Sequence, residues 1–319
     1  MANLVQKIEN ILKKWFTKLA ERESNKWFRW AVNGMLIGFI MWLVIGFSRT
    51  QYQSILAYNL IFDYKSLIYC LLFFGINLFL FSLAWHIQLN QFYPSRLALN
   101  LQLFMNAEIV KILPTPFWYL AKRMIGYSEQ GFSKKNIVYA SLLEMFLHIL
   151  VGLGILGILL VNLSKPFSFF YLLLLLPIIL LAIFPELISF IFPPGKGTMN
   201  RIKLLSIIAL YSFTWLIGLL YFKTLLRGCG ILVLIPTQRL WVIWIVSSLV
   251  SYVATLVLGG IGVLKEFSVT MLLRPFLPIP IAILMSAVSR LIFILGDLLW
   301  PTIVILFLKY WPKRLVLKD

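Results

Sequence analysis

Ionisable side chains set inside long apolar runs are the residues of this sequence with chemistry to offer. Glu108, Lys122, Arg123, Glu144, His148, Glu266, Arg290 and Asp297 all lie in or beside stretches made mostly of Leu, Ile, Val, Phe and Trp. On insertion scales a charge at membrane depth costs roughly 2.5–3.5 kcal/mol, so each one asks for a reason. Glu144 and His148 are four residues apart and share a helix face; Ser286 and Arg290 do the same, with Asp297 seven residues beyond Arg290 on about the same face. Two charged helices can thus look into one cavity. The chemistry that suits them is capture of a phosphate, with Lys122, Arg123 and Arg290 as cations. Arg serves best because its planar fork grips two oxygens. Lys265 and Glu266 form a further charged pair. Glu144 or Glu266 can balance the cations in the empty state or carry a coupling proton. The competing account is that these charges pair with one another and hold helices together. His148 alone reads as a hydrogen-bonded packing residue. His86 reads as interfacial, and Trp85, Trp118, Trp300 and Trp311 as aromatic-belt or lipid-facing residues.

The elements that position these groups are membrane helices. With 61% hydrophobic and 13% charged residues in 319, and a mean hydropathy of +0.93, the chain is more apolar than a soluble globular protein. Apolar runs of about 20 residues predict full spans at 30–48, 67–92, 136–162, 167–192, 203–226 and 278–308. Strands of alternating polarity, the mark of a membrane β-barrel, are not evident. The net charge of +18 sits in connecting segments and chain ends, which reads as membrane orientation and not as a nucleic-acid surface. Cys70 and Cys229 have no metal-ligand spacing, and no cofactor is expected. Gly152-Leu153-Gly154-Ile155-Leu156-Gly157 matches a dinucleotide-binding pattern but lies within a continuous apolar helix with no preceding strand, so it is set aside.

Two segments do not read as simple spans. Residues 97–125 are interrupted at Pro114-Thr115-Pro116, where two prolines remove backbone donors and push the residues before them out of helical geometry. Residues 239–274 are interrupted at Gly259-Gly260-Ile261-Gly262, where glycine permits turns. Each break predicts a re-entrant or broken-helix hairpin whose exposed amides offer an anion nest. The expected fold is all-α and polytopic: six full spans plus two oppositely oriented hairpins. Span–hairpin–span units at 67–162 and 203–308 would form an inverted repeat, an architecture that builds transporter sites from broken helices. Residues 1–29 read as a retained interfacial amphipathic segment, 30–308 as a single transmembrane domain and 309–319 as a basic tail. Both termini are expected on the cytoplasmic side of a cell inner (plasma) membrane, because that side collects most of the Lys and Arg. Gly34 and Gly38 form a G-x-x-x-G pair that suits a homodimer or packing within the monomer.

Leu113-Pro114, Phe117-Trp118, Lys122-Arg123, Gly131-Phe132-Ser133 and Glu144 resemble the first conserved region of the lysylphosphatidylglycerol synthase transmembrane family. Gly259-Gly260-Ile261-Gly262-Val263-Leu264-Lys265-Glu266 with Arg290 resembles the second. The resemblance covers roughly residues 30–308. It departs at Thr115-Pro116, where the family commonly has glycine, and at Leu264-Lys265, where it often has arginine. It implies a flippase-like protein similar to the flippase portion of the multiple peptide resistance factor, without a lysyl-transferring domain. The expected function is translocation of an anionic or glycosylated lipid: an aminoacyl-phospholipid, a glycolipid or a polyprenyl-phosphate-linked sugar. The expected partners are membrane lipids and, where the relatives accompany glycan or lipid assembly genes, the enzymes of that assembly. The alternatives are an integral-membrane glycosyltransferase, for which Asp63 is the one acidic residue of the first outer loop, and a non-transporting partner of an assembly enzyme.

Overall fold

A computed structural model describes residues 62–112, 117–163, 168–191, 200–231, 235–258 and 264–310. The expected span at 30–48, the segment 1–29, the Gly34/Gly38 pair and residues 311–319 lie outside the described residues. So do the interruptions at Pro114, Thr115 and Pro116 and at Gly259, Gly260 and Gly262.

The described residues are all-helical. In chain order they form α1 (Tyr64–Leu89), α2 (Leu97–Glu108) with a 3-10 turn at Ile109–Ile112, and α3 (Phe117–Ser128). There follow α4 (Lys134–Leu163), a 3-10 segment at Ser168–Leu175, α5 (Leu176–Ile183) and α6 (Glu186–Ile191). The rest are α7 (Arg201–Gly228), α8 (Thr237–Leu258), α9 (Leu264–Leu273) and α10 (Ile279–Tyr310). Among the described residues, four helices are long and apolar enough to cross a membrane: α1, α4, α7 and α10. At a rise of about 1.5 Å per residue, each exceeds a hydrocarbon core of roughly 30 Å.

Local chemistry sets the ends. The Asp63 carboxylate accepts from the Lys65 amide at 3.1 Å and from the Ser66 hydroxyl at 2.6 Å, capping α1. The Ser66 bond, the larger influence, holds this carboxyl below its ordinary range. Asn200 caps α7 through Ile202 N at 2.8 Å. Gly131, at φ 84°, makes the turn between α3 and α4 that a residue with a Cβ resists.

Residues 167–192, expected as one span, are not one continuous α-helix in their described part. The described part is a 3-10 segment, then α5, then the six-residue α6. Pro185 explains the last break: it lacks an amide donor, and Phe184 before it takes φ −120° and ψ 74°. Trp85 corrects another expectation, since it is an internal packing residue, while Trp300 is half-buried. Trp85 is fully buried and donates to the Tyr127 hydroxyl at 2.7 Å; Trp300 donates to the Leu71 carbonyl at 2.8 Å. An indole N–H away from water needs an acceptor, and each finds one inside the protein.

The helices pack in a pattern that survives exchange of α1–α4 with α7–α10. The α1–α7 pair, the most extensive contact, maps onto itself. The contacts α1–α2, α2–α3, α3–α4, α4–α8 and α4–α7 become α7–α8, α8–α9, α9–α10, α10–α2 and α10–α1, and every one of these is present. Only α1–α4 has no comparably extensive counterpart. Glycines fit the same scheme. The Trp215 ring of α7 sits where a Cβ on Gly152 of α4 would be, and the Phe74 ring of α1 sits where a Cβ on Gly296 of α10 would be. In an apolar setting such close approach supplies the dispersion contact that holds helices together.

Gly152→Ala and Gly296→Ala should each lower stability by about 1–3 kcal/mol, because a rigid ring must move. Gly154→Ala, which meets a Leu175 methyl at 3.0 Å and an Ile178 methyl at 3.8 Å, should cost clearly less. Thermal unfolding of the purified protein in detergent checks the order.

Candidate functional site

A cavity of about 310 Å³ opens where the two sets of helices meet. Of the sequence-predicted site residues, Arg123, Glu144, Lys265, Glu266, Arg290 and Asp297 all line it. Lys122 does not: it is exposed, while its neighbour Arg123 is buried, because consecutive residues on a helix point about 100° apart.

Arg123, on α3, is at the centre of the first charged group. Its Nη1 donates to Glu144 Oε2 of α4 at 2.5 Å, and its Nη2 donates to Glu108 Oε1 of α2 at 3.4 Å. Lys111, in the 3-10 turn, pairs with Glu108 Oε2 at 2.5 Å. The chain Lys111–Glu108–Arg123–Glu144 thus alternates in sign. Trp85, Phe104 and Tyr119 lie 4.4, 4.4 and 5.1 Å from the guanidinium carbon, so the ring faces add cation–π attraction. Arg123 is 1% exposed, and its Nε has no hydrogen-bond partner.

The second charged group, on α9 and α10, lines the same cavity. Arg290 Nη1 approaches Glu266 Oε1 at 3.5 Å. Glu266 is in the first turn of α9, where a negative charge is favoured by the free amides of the helix start. Its Oε2 is buried without a partner. Lys265 Nζ lies 3.8 Å from the Trp244 ring centroid and 4.3 Å from that of Phe293. Asp297 makes no ion pair or hydrogen bond among the described residues, although Lys111, Arg290 and Lys265 are all within electrostatic range. The two ion pairs are counterparts under the helix exchange, with signs reversed. Arg123 on α3 faces Glu144 on α4, and Glu266 on α9 faces Arg290 on α10. They differ in openness: the Arg123 side chain is 1% exposed and the Arg290 side chain 40%.

Three cavity residues carry more than the sequence reading gave them. Lys111 lies three residues after Glu108 in an apolar run, a spacing that signals an ion pair on one helix face. Glu108 bridges two cations, Lys111 and Arg123. His148, read as a packing residue, does pack: its ring stacks on Trp215 with centroids 4.7 Å apart and meets Phe81, Tyr211 and Tyr252. It also lines the cavity with Nδ1 unpartnered, as does Ser248 with its Oγ. Ser286 lies elsewhere, bonded to Thr270 at 2.8 Å and tying α9 to α10. Asp63 is occupied as the cap of α1. His86 is paired with Asn100 at 2.7 Å at the end of α1.

The arrangement can surround a small polar group with cations, carboxylates and aromatic faces. Buried polar atoms without partners are costly, and a ligand that meets them recovers that cost. The volume of about 310 Å³ is at the small end of ligand sites, which run from about 300 to 1,000 Å³, so it suits a small polar group.

Removing Arg123 strands the buried Glu144 and leaves Glu108 with Lys111 alone, so Arg123→Ala should cost about 3–5 kcal/mol, and Arg123→Lys should recover only part of it because one ammonium cannot reproduce the fork. Lys122→Ala should leave the melting temperature unchanged. Thermal unfolding of the three variants checks this. No protein-family model, curated protein or solved structure matches the chain.

Proposed function

We propose that this chain is a flippase-like transporter of the lysylphosphatidylglycerol synthase transmembrane type that carries an anionic or glycosylated lipid head group across the bilayer. One observation carries the reading: the charges scattered through the apolar segments converge on a single cavity of head-group size. The lipid's phosphate would pair with Arg290 and Lys265 on the more open side, while its tails stay in the hydrocarbon beside the apolar helix faces.

In this account the interruptions between α2 and α3 and between α8 and α9 are re-entrant turns dipping in from opposite membrane faces. The two span–hairpin–span units then form an inverted repeat. The exchangeable contact pattern supports that arrangement, as do the matched glycine–aromatic contacts and the sign-reversed ion pairs. Such repeats present a midplane site alternately to each side by rocking one unit against the other. The unequal exposure of the two ion pairs corresponds to a state closed at Arg123 and open at Arg290. We place the protein in a cell inner (plasma) membrane with both termini cytoplasmic, from the distribution of basic residues. The work proposed is carriage and not catalysis, with membrane lipids as the partners.

Purified protein in liposomes tests the reading through the movement of fluorescent anionic lipids between leaflets. Arg290→Ala and Glu266→Ala should each abolish translocation while membrane insertion and yield stay normal. Translocation at the native rate by both variants defeats the site, and a change in the lipid's chemical structure defeats the carrier reading.

A further inference from the structure

Among the described residues, the charges that line the cavity balance. Four carboxylates, from Glu108, Glu144, Glu266 and Asp297, face four cations, from Lys111, Arg123, Lys265 and Arg290. The two interruptions, at 113–116 and 259–263, contain no ionisable side chain and leave the sum at zero. A monoanionic head group entering this lining would bring one uncompensated negative charge into a setting of low dielectric, where such a charge is expensive. Uptake of one proton by a carboxylate restores neutrality.

The carboxylates are not equally free to accept it. Protonating Glu108 or Glu144 would weaken the bonds that neutralise the buried Arg123, and protonating Glu266 would loosen Arg290. Asp297 has no ion pair or hydrogen bond to lose among the described residues. The elements packed against α10 surround it with both signs: Glu108 and Lys111 from α2 and its 3-10 turn, and Lys265 and Glu266 from α9. Arg290 lies on α10 itself. From α1 the cavity receives Phe73, Phe74 and Asn77, none of which ionises. Further round, Tyr119, Arg123, Glu144, His148, Tyr221 and Tyr252 complete the titratable lining among the described residues.

We propose that Asp297 is the proton-accepting group of the cavity, so that an anionic head group enters accompanied by one proton. The proposal rests on the head-group reading and adds its coupling. The event is an O–H bond formed at Asp297 from a solvent proton as the anion arrives, and broken as it leaves. Because the loaded state holds one more proton than the empty state, binding strengthens as pH falls and weakens as it rises, by about tenfold per pH unit where empty Asp297 is ionised.

Two measurements on the purified full chain decide it. Infrared difference spectra between acidic and basic solution should show a protonated-carboxyl stretch that titrates in the native protein and is absent from Asp297→Asn. Its absence from the native protein, or its survival in Asp297→Asn, overturns the proposal. Binding of short-chain phosphatidylglycerol in weakly buffered solution should take up about one proton per lipid and show the tenfold dependence, both lost in Asp297→Asn. Lipid binding by the native protein without proton uptake overturns the coupling. If the probe fails to bind at any pH, the head-group reading falls, and the infrared band still decides whether Asp297 exchanges a proton.

Discussion

Arg123 holds a full positive charge at a place almost without exposure, and the surrounding structure is arranged to make that bearable. Two carboxylates from different helices reach it, three aromatic rings enclose it, and Lys111 offsets the second carboxylate. Removing either carboxylate alone takes a counter-charge from the buried guanidinium. The constraint fixes where α2, α3 and α4 stand relative to one another. It also locates one wall of the cavity, since the same residues line it.

The second wall repeats the solution with the signs exchanged and the fit relaxed. Glu266 and Arg290 meet at a longer distance, Arg290 is substantially exposed, and Lys265 rests on aromatic faces without a carboxylate partner. In the proposed carrier, a tight wall and a loose one would be the closed and open gates of one state. The glycine–aromatic contacts between α4 and α7 and between α10 and α1 match under the helix exchange, and that reading makes them the surfaces between the two units.

Much of this was legible in the sequence because membrane physics is strict. Four of the six expected spans correspond to α1, α4, α7 and α10, since a run of apolar residues of that length has few other fates. The shared faces of Glu144 with His148 and of Arg290 with Asp297 follow from helical spacing, and all four line the cavity. What the sequence hid depends on contacts between distant segments. Residues 167–192 are apolar enough to span, but Pro185 divides the helix and hydropathy does not register the division. Lys122 and Arg123 are indistinguishable as neighbouring cations until the orientation of α3 sends one inward. Trp85 has the residue type of a belt residue, and only its packing and the Tyr127 hydroxyl that accepts from its indole N–H make it internal.

The most direct measurement is a structure of the protein in nanodiscs containing anionic phospholipid, with density for the bound lipid resolved. The account places a phosphate within hydrogen-bond distance of Arg290 or Lys265, inside the cavity, with the acyl chains running out between helices. Lipid phosphates found only at the outer rim of the helices, with the cavity charges still paired as described, would contradict it.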